Sequence, residues 1–146
     1  MPLLLHAELC GGGATQLISD GPVGACLSGG LDSTTIVRLM NELLEEKDRD
    51  ARSLGTRLET FSALFDNNPI DERNYVAEAV AGTQAVTTYV HPAPRDMVEE
   101  LAEFVWHQEE PTVSTGPYAQ WCVMRGASSK VRVLLDGQGG DELLAG

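Results

Sequence analysis

Two glycine-rich segments that also carry carboxylates are the part of this sequence best suited to chemistry. The first is residues 28–33 (SGGLDS) and the second is residues 136–142 (DGQGGDE). Each follows a short apolar run, so each is expected at the turn after a strand. Glycine lets the backbone approach an anion closely, and a helix N-terminus favours negative charge. The first segment is therefore a candidate phosphate site, in which Asp32 can hold a magnesium ion.

An ordinary turn is the alternative interpretation of each segment. Asp32 or Ser33 can serve as the N-cap of a following helix, and Asp141 can do the same for a helix that begins at Glu142. Neither segment alone decides between a cap and a ligand site. Two acidic glycine-rich loops at equivalent ends of two strands make chance a poor explanation for the pair.

Apolar, β-branched runs alternate with helical patterns along the chain. The patterns predict strands at 23–27, 60–65, 85–90 and 131–135, and helices at about 33–46, 71–81, 94–105 and 118–127. This alternation predicts an α/β fold with a parallel sheet and right-handed crossovers. Ligands of such sheets bind beyond the carboxyl ends of the strands, so both loops are expected at one edge.

Composition limits the classes of function. The chain has 146 residues and 42% apolar content, enough for one domain with a real core. Its net charge of −12, with ten scattered lysines and arginines, argues against a nucleic-acid partner. Its three cysteines show no metal-ligand spacing and fit a reducing, cytoplasmic location. No apolar run is long enough for a membrane span, so no membrane partner is expected.

The two loops together resemble the ATP-pyrophosphatase group, and the second narrows the resemblance to the synthetase domain of glutamine-hydrolysing asparagine synthetase. The resemblance runs from about residue 20 to the end of the chain, and its matching segments are 22–25, 27–33, 59–63, 108–111, 118–120 and 135–142. It implies a Rossmann-like fold of the adenine nucleotide alpha hydrolase type, with helices on both faces of the parallel sheet.

The resemblance implies ATP-dependent amide-bond formation through an acyl-adenylate, with release of AMP and pyrophosphate. Aspartate, converted into asparagine, is the expected carboxylate substrate, and ammonia from glutamine is the expected amine. ATP and Mg²⁺ are the implied cofactors. The resemblance leaves open a homodimer of the full-length protein.

Site residues carry over from the family position by position. The pyrophosphate loop corresponds to Ser28, Gly29, Gly30, Asp32 and Ser33; the adenosine contacts correspond to Leu27, Ala63, Asp136 and Gly137; the metal ligands correspond to Asp32 and Asp141. For Leu27 and Ala63, packing in the core is an equally open interpretation. Asp141 and Gln138 are the predicted catalytic residues on the substrate side.

Gln138 stands where many family members have glutamate. An amide orients a substrate by hydrogen bonds but carries no charge and cannot act as a base. We therefore expect Gln138 to contact the substrate rather than to move a proton.

The family pattern also predicts the domain organisation. Residues 1–20 are expected to be a tail or truncated linker, and residues 21–146 part of the synthetase domain, truncated at its C-terminus. Pro2 stands where the family's glutaminase domain has its cysteine nucleophile, so that domain is expected to be absent. A β-lactam synthetase, a lasso-peptide cyclase and a non-catalytic nucleotide-binding fragment remain as alternatives.

Overall fold

A computed structural model describes residues 15–47, 49–66 and 72–138. Four strands alternate with helices, as the sequence pattern predicted. The strands are β1 (Val23–Cys26), β2 (Leu58–Ala63), β3 (Ala85–Val90) and β4 (Val133–Leu135). The helices are α1 (Leu31–Glu45), α2 (Arg73–Val80), α3 (Pro94–Glu99), α4 (Leu101–Gln108) and α5 (Gly116–Ala127), with a short 3-10 helix at Asp50–Leu54.

The four strands form one parallel sheet in the order β3-β2-β1-β4. Gly24 pairs with Glu59 on one side of β1, and Val23 pairs with Val133 on the other side. The chain thus leaves β1 in one direction toward β2 and β3, and later returns to place β4 on the opposite side. A doubly wound sheet of this kind has a crevice at the carboxyl ends of the two strands where the order reverses, here β1 and β4.

One face of the sheet is covered by α1, α2 and the 3-10 helix. Alternate residues of β1 and the loop that follows it, Val23, Ala25 and Leu27, lie in a buried cluster with Val37 of α1 and Val76 of α2. The period of two along the strand therefore directs these side chains to a single face.

The other face is covered mainly by α5. Phe61 of β2 packs with Val123 and Ala127 of that helix. A neighbouring cluster joins α4 to α5, where the rings of Phe104 and Tyr118 meet edge to face with centroids 5.5 Å apart. Helices on both faces of a parallel sheet confirm the α/β fold class.

Several element boundaries differ from the predicted ones. Helix α1 begins at Leu31 rather than Ser33. The connection at 45–57 contains the 3-10 helix, and the helix predicted from Pro94 is interrupted at Glu100, whose φ and ψ are −97° and 3°. Strand β4 begins late because the amides of Arg132 and Val133 both donate to the Pro22 carbonyl, at 2.8 and 3.3 Å. The regular ladder therefore starts only at Val133.

None of the helices in the described ranges is both long and apolar enough to cross a lipid bilayer.

Candidate functional site

The loop between β1 and α1 depends on a glycine in the left-handed region. Gly29 has φ +84°, and a Cβ there would lie 2.6 Å from the Tyr75 Cβ and 2.9 Å from the backbone nitrogen of Val76. The loop therefore passes directly over the start of α2 with no room for a side chain. This close approach holds the backbone at Gly29 against the start of α2.

Two hydroxyls fix the shape of this loop. The Ser33 Oγ accepts the Ser28 amide at 3.2 Å and donates to the Gly30 carbonyl at 3.3 Å. The Ser28 Oγ accepts the Gly30 amide at 3.2 Å and lies 3.0 Å from the Ser33 Oγ. Ser33 is buried, whereas Ser28 and Gly30 are exposed. Ser33 therefore shapes the loop backbone, and the exposed edge of the loop is formed by Ser28 and Gly30.

Helix α1 begins without a side-chain cap. Its N-cap residue is Gly30, and Asp32 lies in the first turn. The interpretation of Asp32 or Ser33 as the N-cap is therefore wrong, because the helix has already begun at Leu31. A helix N-terminus that begins at an exposed glycine presents its positive dipole end to whatever approaches the loop.

The loop after β4 packs directly on this helix N-terminus. A Cβ on Gly137 would lie 3.0 Å from the Ser33 backbone nitrogen and 3.2 Å from the Asp32 Cβ. The pairing of β1 with β4 thus brings the described start of the second glycine-rich segment, residues 136–138, to the first segment, at the edge that the sequence pattern predicted. Glycine at position 137 lets the second loop close over the first turn of α1.

A polar network holds the second loop to α5 and β1. The Asp136 Oδ2 accepts a hydrogen bond from the Gln120 Nε2 at 3.0 Å. Its Oδ1 accepts a hydrogen bond from the backbone N–H of Gln138 at 3.3 Å. The same Gln120 nitrogen lies 3.5 Å from the Gln138 Oε1. Burial, together with the charge and hydrogen bond of Asp136, raises the pKa of the Cys26 thiol to about 12. Cys26 is therefore a neutral thiol beside the Asp136 carboxylate at neutral pH.

Gln120 and Cys26 are contacts that the sequence prediction of site residues missed. Gln120 belongs to the 118–120 segment covered by the resemblance, which was the available signal. Cys26 ends β1 and, by strand alternation, lies on the face opposite Leu27. Neither signal identifies Asp136 as the shared partner, since that contact depends on how α5 crosses the sheet.

The predicted adenosine contacts Leu27 and Ala63 have side chains that pack in the core. Leu27 is 2% exposed and lies among the residues beneath α1. Ala63 is half-buried against the opposite cluster. The Ser62 hydroxyl donates to the Leu27 carbonyl at 2.5 Å, which ties the ends of β1 and β2 together. Any contact of Leu27 with a ligand would therefore come from its backbone.

Asp141 lies outside the described residues, so the pairing of Asp32 with Asp141 around one metal stays a prediction. Across the described ranges, no group of three or more His, Cys, Asp or Glu residues could hold a metal ion.

A second concave region lies at the carboxyl end of β3. It is a cleft of about 170 Å³ between the 90–96 segment and α5, and Val90, His91, Tyr118, Cys122 and Arg125 are among its lining residues. Glu100 accepts hydrogen bonds from the Tyr118 hydroxyl at 2.8 Å and from Arg125 at 2.9 Å. The Arg125 guanidinium also lies 4.3 Å from the centre of the Trp121 ring.

The family model and the relatives described here agree on one family. The family model of asparagine synthase matches residues 13–146. Asparagine synthetase [glutamine-hydrolyzing] 1 of Bacillus subtilis is 32% identical over 130 residues, which are 88% of this chain and 18% of that protein. A putative asparagine synthetase [glutamine-hydrolyzing] 2 of Methanocaldococcus jannaschii is 34% identical over 131 residues, or 90% of this chain and 24% of that protein.

A plant relative extends the match to almost the whole chain. Asparagine synthetase [glutamine-hydrolyzing] 2 of Oryza sativa is 28% identical over 148 residues, which cover 99% of this chain and 24% of that protein. The chain thus spans about a fifth to a quarter of the length of these relatives. With the family match covering nearly its full length, on an α/β fold whose two glycine-rich loops meet, this chain belongs to the asparagine synthase family.

Proposed function

We propose that this chain supplies the nucleotide-binding part of an ATP-dependent ligase that converts aspartate into asparagine. The observation that carries the proposal is the packing of Gly137 on the first turn of α1, 3.0 Å from the Ser33 nitrogen when a Cβ is placed on it. Two glycine-rich loops are joined there at the uncapped start of a long helix. That arrangement suits a polyphosphate, because glycine backbone that permits close approach lies beside the positive end of a helix dipole.

The loop at 28–30 would hold the pyrophosphate portion of ATP. Ser28 and Gly30 are exposed at its edge, and Ser33 keeps the loop in shape by its hydrogen bonds. The chain carries a net charge of −12, so the binding of an anionic nucleotide requires local neutralisation. Asp32 and Asp141 would hold Mg²⁺, which supplies positive charge at the phosphate oxygens. Backbone and shape at Leu27, Ala63, Asp136 and Gly137 would bind the adenosine.

The proposed reaction has two steps. The aspartate side-chain carboxylate attacks the α-phosphorus of ATP, the bond to pyrophosphate breaks, and an acyl-adenylate forms. Ammonia then attacks the acyl carbon and loses a proton as the C–N bond forms, and the bond between the acyl carbon and the AMP oxygen breaks to release AMP. The residues of this chain contribute by positioning the anionic groups and by neutralising charge as they approach one another. Asp141 and Gln138 belong to the second glycine-rich segment of the sequence, which is expected to face the carboxylate.

Pyrophosphate release by the protein in its natural full length tests the reaction. Release should require both ATP and aspartate, because the carboxylate is the nucleophile that displaces pyrophosphate. Release with another carboxylate but not with aspartate would contradict the asparagine assignment and favour a different amide-forming synthetase.

Calorimetry of ATP–Mg²⁺ binding tests the metal site. Asp32→Ala and Asp141→Ala should each weaken binding by about tenfold or more, since each removes a charged metal ligand. Asp20→Ala, an exposed aspartate before β1, is the matched control and should leave binding unchanged. Unchanged affinity in both ligand variants would refute the shared metal site.

A further inference from the structure

Gln120 joins α5 to the second loop through a single amide nitrogen. Its Nε2 donates to the Asp136 Oδ2 at 3.0 Å and reaches the Gln138 Oε1 at 3.5 Å. An amide group has two N–H donors, so it can serve both acceptors at once. Gln120 therefore holds the two residues on either side of Gly137.

The position of Gln120 is fixed by the helix on which it lies. Tyr118, Cys122 and Val123 of α5 are buried, and Tyr118 is additionally bound to Glu100 at 2.8 Å. The exposed Gln120 side chain thus projects from a helix whose other face is anchored in two apolar clusters. Because α5 is held in place by this packing, the Gln120 side chain holds the loop in position rather than moving with it.

The contact with Gln120 orients the side-chain amide of Gln138. Its Oε1 faces the Gln120 donor, and its Nε2 has no hydrogen-bond partner among the residues that the structure describes. An amide oriented in this way has both N–H donors available, while its oxygen is turned toward Gln120. A hydrogen-bond acceptor, such as an anionic oxygen of a carboxylate or a phosphate, is the group that suits these donors.

We propose that Gln120 is a positioning residue that orients the Gln138 amide so that its N–H donors bind an anionic oxygen of a substrate. The inference rests on the proposed ligase function and extends it to the polarity of one contact. Gln120 touches no reacting atom; it acts through Gln138 and through the Asp136 carboxylate, which it also holds.

Steady-state kinetics of the full-length protein test this role. Gln120→Met keeps the length of the side chain and removes both donors. The KM for either aspartate or ATP should rise by about tenfold, the effect of one hydrogen bond to a charged group, with a smaller change in kcat and an unchanged melting temperature. A rise for aspartate assigns the oxygen to the carboxylate, and a rise for ATP assigns it to the phosphates.

A double-mutant cycle separates this role from general support of the fold. If Gln120 acts through Gln138, then Gln138→Met should produce a similar rise, and the double variant should be no worse than the poorer single variant. Gln84→Met is the matched control, because Gln84 is exposed at the opposite end of β3 and bonds through its backbone. It should change neither KM.

Two results would overturn the inference, and they are distinguishable. An active wild-type protein in which Gln120→Met leaves both KM values unchanged, or in which the two losses simply add, refutes the role of Gln120 alone. A wild-type protein that releases no pyrophosphate with ATP and aspartate refutes the proposed function and this inference together.

Discussion

The carboxyl edge of the sheet has two halves that are built in opposite ways. At β1 and β4, small residues let backbone segments approach one another, with Gly29 against α2 and Gly137 against α1. At β3, large side chains fill the space between elements, with Phe104, Tyr118 and Trp121 in mutual ring contact. The first half presents exposed loop backbone beside the uncapped start of α1, and the second presents side chains that are paired with one another.

The nucleotide site is proposed on loop and helix geometry rather than on concavity. In the cleft beside β3, Arg125 is a lining cation, and it is bound to Glu100 at 2.9 Å. The glycine-rich half combines exposed loop backbone with an uncapped helix start. These features favour the binding of an anion. The two halves should therefore respond differently to substitution.

The largest expected effect on stability is in the aromatic half. Phe104 is 1% exposed, so Phe104→Ala should lower the free energy of unfolding by about 3–5 kcal/mol. ATP affinity of the folded variant should be unchanged, because the removed ring is not part of the loops. Chemical denaturation and calorimetry measure the two quantities.

Trp106→Ala is the matched control for Phe104, since Trp106 lies on the same helix but is 76% exposed. It should change the free energy of unfolding very little. A loss of ATP affinity in the folded Phe104→Ala variant would show that the two halves are coupled.

An equal or smaller loss of stability, combined with loss of ATP binding, is expected from Gly29→Ala. A residue other than glycine at positive φ costs roughly 1–2 kcal/mol, and the overlap with the Tyr75 Cβ and its backbone adds roughly 1–3 kcal/mol of strain. The atoms in the way belong to the start of α2 and cannot swing aside. The loop should therefore shift, which moves the proposed phosphate site.

Gly55→Ala separates these two costs. Gly55 has φ +71°, and a Cβ added there would meet no atom within 4 Å, so only the cost of positive φ applies. Denaturation of both variants and calorimetry with ATP measure the difference. If Gly29→Ala and Gly55→Ala destabilise the protein equally and ATP still binds, the close packing of the first loop does not matter for the site.

The smallest expected effect is a pH dependence in the aromatic half. Hydrogen bonds from Arg125 and then from Tyr118 lower the pKa of Glu100 below its ordinary value of 4.5. The folded state thus binds this proton less readily than the unfolded state does. The contribution of Glu100 to stability is therefore present above about pH 4.5 and is lost as the pH falls below that value.

Glu100→Gln should reduce the acid-side loss of stability, measured by thermal unfolding between neutral and acidic pH. The effect should be small because the ion pair is partly exposed to solvent and is screened by it. An acid-side slope identical to that of the wild-type protein would contradict the role of Glu100.

Strand and helix types followed from local patterns, and some boundaries did as well. Strand β3 has the predicted bounds because its β-branched run ends cleanly at Pro92. The interruption at Glu100 was not predictable in the same way, since its carboxylate is bound by Tyr118 and Arg125 from a later helix. Local periodicity carries no information about such partners.

The candidate site shows the same difference between features set by local sequence and features set by tertiary contacts. The two glycine-rich loops could be found in the sequence because their composition reflects a backbone requirement that is local. Gln120 and Cys26 became site residues only through their shared contact with Asp136, which depends on tertiary packing. The roles of the predicted site residues, and the domain boundaries, stay predictions.

The pairing of Val23 with Val133 has a consequence for the order of folding. It joins residues at nearly opposite ends of the described chain, whereas β2 and β3 are close neighbours in sequence. Closing the longer loop costs more chain entropy, so β4 is expected to join the sheet after the β2–β3 pair has formed. Gly137 reaches α1 only when β4 is in place. During synthesis, the proposed nucleotide site therefore forms late in the folding of this chain. Nucleotide binding would show that β4 has paired with β1.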